Sequence, residues 1–130
     1  MAVPRPRRSA AACVLVVQTN TGKLFRVDVA SRTISEVAVT DANLLFGDGL
    51  LRIGNSLYVA RNAANEIVRL ELGPDWRTAQ RESTISDAAF AFPTALAAAR
   101  GRLLITNSQL DAGANATIPF TVLDLPLNGA

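Results

Sequence analysis

The chain has 130 residues, 49% hydrophobic and 18% charged, which suffices for one core and argues against disorder along its whole length. Its formal charge of +2 traces to Arg5, Arg7 and Arg8, because the other ten basic residues face eleven acidic ones. The body of the chain therefore carries no basic footprint for nucleic acid. Histidine is absent and Cys13 is the single cysteine, which excludes histidine-activated nucleophiles, HExxH zinc sites, cysteine-rich zinc sites and any intramolecular disulfide.

Residues 1–9 read as a disordered leader. Arginines followed by the apolar run of residues 10–17 resemble a secretory signal in outline, and the lack of acids before Asp28 leaves an organelle transit peptide open. The run is far too short to span a bilayer, so a soluble protein without a membrane span is expected. From residue 10 onward the chain reads as one domain.

Within it, turn residues interrupt each apolar run after about ten positions, which favours strands over helices. Strands are predicted at 13–18, 24–28 and 33–39, with Asn20-Thr21-Gly22 as a hairpin. A second unit opens at Gly47-Asp48-Gly49 and continues as strands 50–53, 57–60, 66–72 and 78–83. A third opens at Pro93-Thr94, with strands 95–99, 102–106 and 121–125 around a loop at 109–119. The alanine run 95–99 has helical propensity, but its alignment with residues 50–53 places it in a strand.

These units are copies of one pattern. Leu15-Val16-Val17, Leu57-Tyr58-Val59 and Leu103-Leu104-Ile105 recur at spacings of 42 and 46 residues, each followed by a polar hairpin and a second β-rich run. Strand-built repeats of about 40–50 residues are what β-propeller blades produce. The expected fold is all-β, a partial β-propeller of roughly two and a half to three four-stranded blades at about 13–40, 47–85 and 93–125. A partial array leaves apolar blade faces open, so self-association or docking of a complementary propeller half is expected.

Candidate site residues are few. Asp48 is the acidic residue at a blade opening, and it serves equally well as the cap of a Gly-Asp-Gly turn. Asn62 and Asn107 lie at hairpin mouths where they line a channel or simply shape a turn. Tyr58 and Trp76 read as packing residues rather than a stacking pair for a ligand. Asn115-Ala116-Thr117 matches a glycosylation sequon, and no phosphate-cradling glycine loop is present.

The stretch Val14-Leu15-Val16-Val17-Gln18-Thr19-Asn20-Thr21-Gly22-Lys23-Leu24-Phe25-Arg26-Val27-Asp28 resembles the C-terminal half of the SMP-30/gluconolactonase/LRE-like six-bladed propellers. Gly47-Asp48-Gly49-Leu50, Leu57-Tyr58-Val59-Ala60-Arg61-Asn62 and Phe92-Pro93-Thr94 extend that resemblance over about residues 13–125. It implies a divalent cation, calcium or zinc, in a central channel, with Asp48 as both metal ligand and catalytic base acting on a small-molecule ligand. The family's glutamate ligand comes from a blade this sequence lacks, so the resemblance implies a truncated propeller without a complete active site. Two alternatives stand beside it: a metal-dependent lactonase or esterase-type hydrolase completed by oligomerisation, and a non-catalytic binding or assembly module.

Overall fold

A computed structural model describes residues 12–127; the expected leader at 1–9 lies outside them. The described chain is all-β, with eleven strands in three sheets, connected by turns and two single-turn 3-10 segments. The first sheet holds β1 (Cys13–Gln18), β2 (Lys23–Asp28) and β3 (Thr33–Glu36) in sequential order. The second runs β4-β8-β7-β6-β5, from β4 (Ala38–Thr40) and β8 (Thr78–Ser86) through β7 (Glu66–Leu72) and β6 (Ser56–Arg61) to β5 (Gly47–Ile53). The third holds β9 (Pro93–Ala99), β10 (Arg102–Asn107) and β11 (Val122–Pro126).

Apart from β4, each sheet is built of antiparallel neighbours in a blade-like stack. The alanine run is strand β9, laddered antiparallel to β10 through Leu96↔Ile105, Ala97↔Leu104 and Ala98↔Leu103. One strand departs from expectation. The predicted strand 33–39 breaks at Val37, which is 2% exposed in the core. Beyond the break, β4 leaves its own blade and pairs in parallel with β8 of the next.

The register also resets the first repeat spacing. Gln18↔Lys23 and Arg61↔Glu66 are the pairs that close equivalent four-residue hairpins, so the structural period from blade 1 to blade 2 is 43 positions. A slip of one residue moves every side chain to the opposite face of its strand. The corrected register makes Val14, Leu57 and Leu103 equivalent, followed by Val16, Val59 and Ile105. Across the ladder they meet Val27 and Phe25 in blade 1, Leu70 and Val68 in blade 2, and Leu125 and Leu123 in blade 3.

That apolar quartet faces the preceding blade. In blade 2 its members Leu57, Val59, Val68 and Leu70 are at most 2% exposed, packed against Leu15, Val17 and Leu24 of blade 1. In blade 3, Leu103 and Ile105 pack with Leu123 and Leu125 against Tyr58, Ile67 and Leu51 of blade 2. The core is thus two interlayers between three blades rather than one central mass, as expected for repeats stabilised by their neighbours.

Candidate functional site

The mouth of the blades is built by the loops that join the first two strands of each hairpin and the turns that precede β5 and β9. Asp48 is exposed on β5, and its Oδ2 accepts a 3.2 Å hydrogen bond from Asn62 Nδ2. Asn62 Oδ1 in turn accepts the Ala63 N–H at 2.6 Å, and its own N–H donates to the Phe46 carbonyl at 2.9 Å. Asp48 and Asn62 are therefore brought together at one turn.

Asn107 is elsewhere and differently employed. It is 2% exposed. Its Oδ1 accepts from Ala91 N–H at 2.9 Å, while Nδ2 donates to the Ala89 carbonyl at 2.9 Å and to Thr121 Oγ1 at 3.0 Å. The register pairs Gly47 with Arg61 and Pro93 with Asn107. Arg61, rather than Asn62, is thus the counterpart of Asn107.

Arg61 repeats the same task with a longer side chain. It is 9% exposed, donates from Nε to the Leu45 carbonyl at 2.8 Å, and pairs with Glu66 through Nη1. Each buried polar group reaches back into the segment that leads to its blade's innermost strand, satisfying backbone atoms that would otherwise be stranded. A polar residue ending an apolar strand is the only sequence signal for this role, and it was not enough to single out Arg61.

A second device links blade to blade. Phe46 and Phe92, 46 positions apart and each preceding an innermost strand, have φ of +66° and +58°. Bulky residues rarely adopt that conformation, so it persists only where neighbours over-determine it. Here the preceding blade's hairpin loop does so. Thr19 O accepts the Phe46 N–H at 2.9 Å, and Asn65 Oδ1 accepts the Phe92 N–H at 2.8 Å.

The Gly-Asp-Gly turn has a steric reason of its own. A Cβ on Gly47 would come within 2.6 Å of Val17 Cγ2, and one on Gly49 would fall on the Thr94 carbonyl oxygen. Glycine lets β5 pass close to both neighbouring blades. Among the described residues, no three His, Cys, Asp or Glu side chains converge as a metal-ligand cluster. Asp48 has an amide beside it, whereas a hard cation takes six or more oxygens, usually from several carboxylates.

The remaining candidates are dispersed. Tyr58 packs between blades 2 and 3, whereas Trp76 packs on the opposite side of blade 2 with the Arg52 guanidinium 4.9 Å from its ring centre. They do not form a pair. A surface concavity of about 600 Å3 lies at the outer rim, lined by Thr40, Glu71, Thr78, Arg81 and Glu82. There Glu71 is held above its ordinary pKa of 4.5, first by a hydrogen bond shared with Glu82 and then by repulsion from it. No helix among the described residues is long and apolar enough to cross a membrane.

Comparison with known proteins corrects the family expectation. No family model matches the chain, and no curated protein matches it. The resemblance to SMP-30/gluconolactonase/LRE-like proteins therefore does not hold. Its motifs were mostly features that blades share, an apolar strand followed by a polar hairpin, together with the glycines where β5 passes close to the other blades. Among solved structures, the chain is similar to the crystal structure of the major Malassezia sympodialis allergen Mala s 1, with a TM-score of 0.55 and 17% identity. The match covers 86% of this chain and 39% of that one, so the chain spans well under half of its structural neighbour. At that identity the likeness concerns the fold alone, and it agrees with the all-β, propeller-like architecture of stacked blades.

Proposed function

We propose that the chain is a non-catalytic assembly module whose open blade face docks further propeller blades. The observation that carries this reading is the apolar quartet of blade 1. Val14, Val16, Phe25 and Val27 occupy the positions that are buried against a preceding blade in blades 2 and 3. In blade 1 they are less covered: Val14 and Val16 are 48% and 45% exposed, Phe25 and Val27 are half-buried, and Ile34, opposite Val27 on the same face, is 67% exposed. Fully burying such a side chain is worth about 1.5–3 kcal/mol. A contiguous apolar face of this kind marks an interaction surface rather than ordinary surface scatter.

Among the described residues β1 bonds only to β2, so its outer side offers a ladder to another strand. A β-structured partner with an apolar face satisfies both needs, the ladder and the burial.

Light scattering across a concentration series tests the reading. The wild type is expected to exceed the 13.8 kDa chain mass, with Val16→Asp shifting it back toward one chain. A wild type that stays at one chain mass throughout, and a variant no more soluble than it, would remove the reading.

A further inference from the structure

Resting on that docking role, we propose that the blade which covers the open face of blade 1 is blade 3 of a second copy, so that two chains join head to tail and close a ring. The repeat itself identifies the occupant. Inside the chain, each quartet is covered by the face that the preceding blade turns toward it: Leu15, Val17 and Leu24 from blade 1, then Leu51, Tyr58 and Ile67 from blade 2. Blade 3 has the corresponding face, and among the described residues nothing covers it. Ala97 pairs with Leu104, Leu104 with Asp124, and Thr106 with Val122, so these side chains share the side opposite the buried Leu103 and Ile105.

The two open faces complement each other in side-chain size. Blade 1 presents Val14, Val16, Phe25, Val27 and Ile34, all bulky. Blade 3 presents Ala95, Ala97 and Ala99, three exposed small residues, beside Leu104 and a 63%-exposed Val122. Large groups on one side thus meet hollows on the other. Charges lie on both faces: Lys23 and Glu36 flank the apolar patch of blade 1 through Gln18↔Lys23 and Phe25↔Glu36. On blade 3 Arg102 donates to Asp124 at 2.5 Å.

A head-to-tail contact is heterologous, and it ends in a closed assembly only when the rotation returns to its start. The three described blades of each copy meet that condition with two copies, since closed propellers hold about four to eight blades.

Face-specific variants test the pairing. Val16→Asp spoils the blade 1 face and Ala97→Glu the blade 3 face; in a ring each spoils both contacts, so each alone is expected to fall from twice the chain mass to one. Mixed at millimolar concentration they retain one intact contact, and a mass of two chains is expected to return. That recovery also demonstrates that both variants fold, and Ile34→Lys repeats the test from a second position on blade 1.

If Val16→Asp dissociates the protein but Ala97→Glu does not, blade 1 faces pair with each other. That overturns the ring while docking survives. Two dissociated variants that fail to recombine overturn the head-to-tail pairing, again without touching docking through blade 1. If neither variant changes the mass, or the wild type is a single chain, both proposals fall.

Discussion

Blades 1 and 2 present the same apolar quartet on the same strands, yet one quartet is sealed and the other open. Leu57, Val59, Val68 and Leu70 lie at or below 2% exposure, while Val14 and Val16 are nearly half exposed. The sequences do not account for the difference, since both quartets are wholly apolar. What differs is the neighbour. Burial in this fold belongs to the gap between blades, so a residue's energetic weight depends on which blade stands next to it.

That contrast makes the largest prediction. Leu57→Ala is expected to cost about 2–5 kcal/mol, the range for emptying a closed core site. Val14→Ala, at the equivalent position, should stay within about 0.5 kcal/mol in dilute solution, as surface changes do. Denaturant titration of both variants checks this. Equal losses would break the comparison by showing that blade 1 is covered even in a single chain.

A smaller effect is expected one position type away, at the end of the second strand. Asn107→Ala removes the partner of Ala91 N–H and of the Ala89 carbonyl, and each group left unsatisfied costs about 1–3 kcal/mol. Gln18 is the equivalent residue in blade 1. It is exposed, and among the described residues its Oε1 accepts only the nearby Thr21 hydroxyl at 2.6 Å. Gln18→Ala should leave the melting temperature almost unmoved, whereas Asn107→Ala should lower it by several degrees.

The smallest effect concerns acid groups in the two blades, whose pKa values shift in opposite directions. Asp28 of blade 1 is held below its ordinary value of 3.8, chiefly by the Ser31 N–H that its carboxylate accepts. A lowered carboxyl pKa contributes stability above the unfolded value, lost as pH falls through the folded one. Glu71 of blade 2 is raised above 4.5 by Glu82. Its contribution is complete below that value and disappears as pH climbs through the raised one. Glu71→Gln should therefore raise the melting temperature slightly at pH 7 and remove the gain otherwise seen on mild acidification; a decrease at pH 7 would contradict the assigned repulsion.

Strand positions were legible because turn residues and apolar runs alternate at blade frequency. The three-unit organisation was legible for the same reason. The one-residue register was not. Leu15, Val16 and Val17 are all apolar, so nothing in the triplet says which member faces which neighbour. The break at Val37 was equally invisible, because both 33–36 and 38–40 are good strand sequence.

At the mouth, Asp48 and Asn62 stood out by residue type and do meet. The equivalence of Arg61 and Asn107 depended on ladder register, and the clasp from Thr19 to Phe46 depended on backbone atoms that every sequence shares. The family resemblance misled for a related reason: constraints common to all blades were taken as the mark of one kind.

The crossing of β4 into the next sheet has a mechanical consequence. Ala38, Val39 and Thr40 ladder with Thr78, Ala79 and Gln80, and the Ala38 N–H bonds to the Arg77 carbonyl at 3.0 Å. Blades 1 and 2 are thereby sewn together by main-chain hydrogen bonds, while among the described residues blade 3 shares no strand ladder with either. Pulled from its two ends, the molecule has a seam on one side and only side-chain packing and loop clasps on the other. Blade 3 is expected to peel away first and the remaining pair to give way as one unit, two steps that single-molecule pulling would resolve.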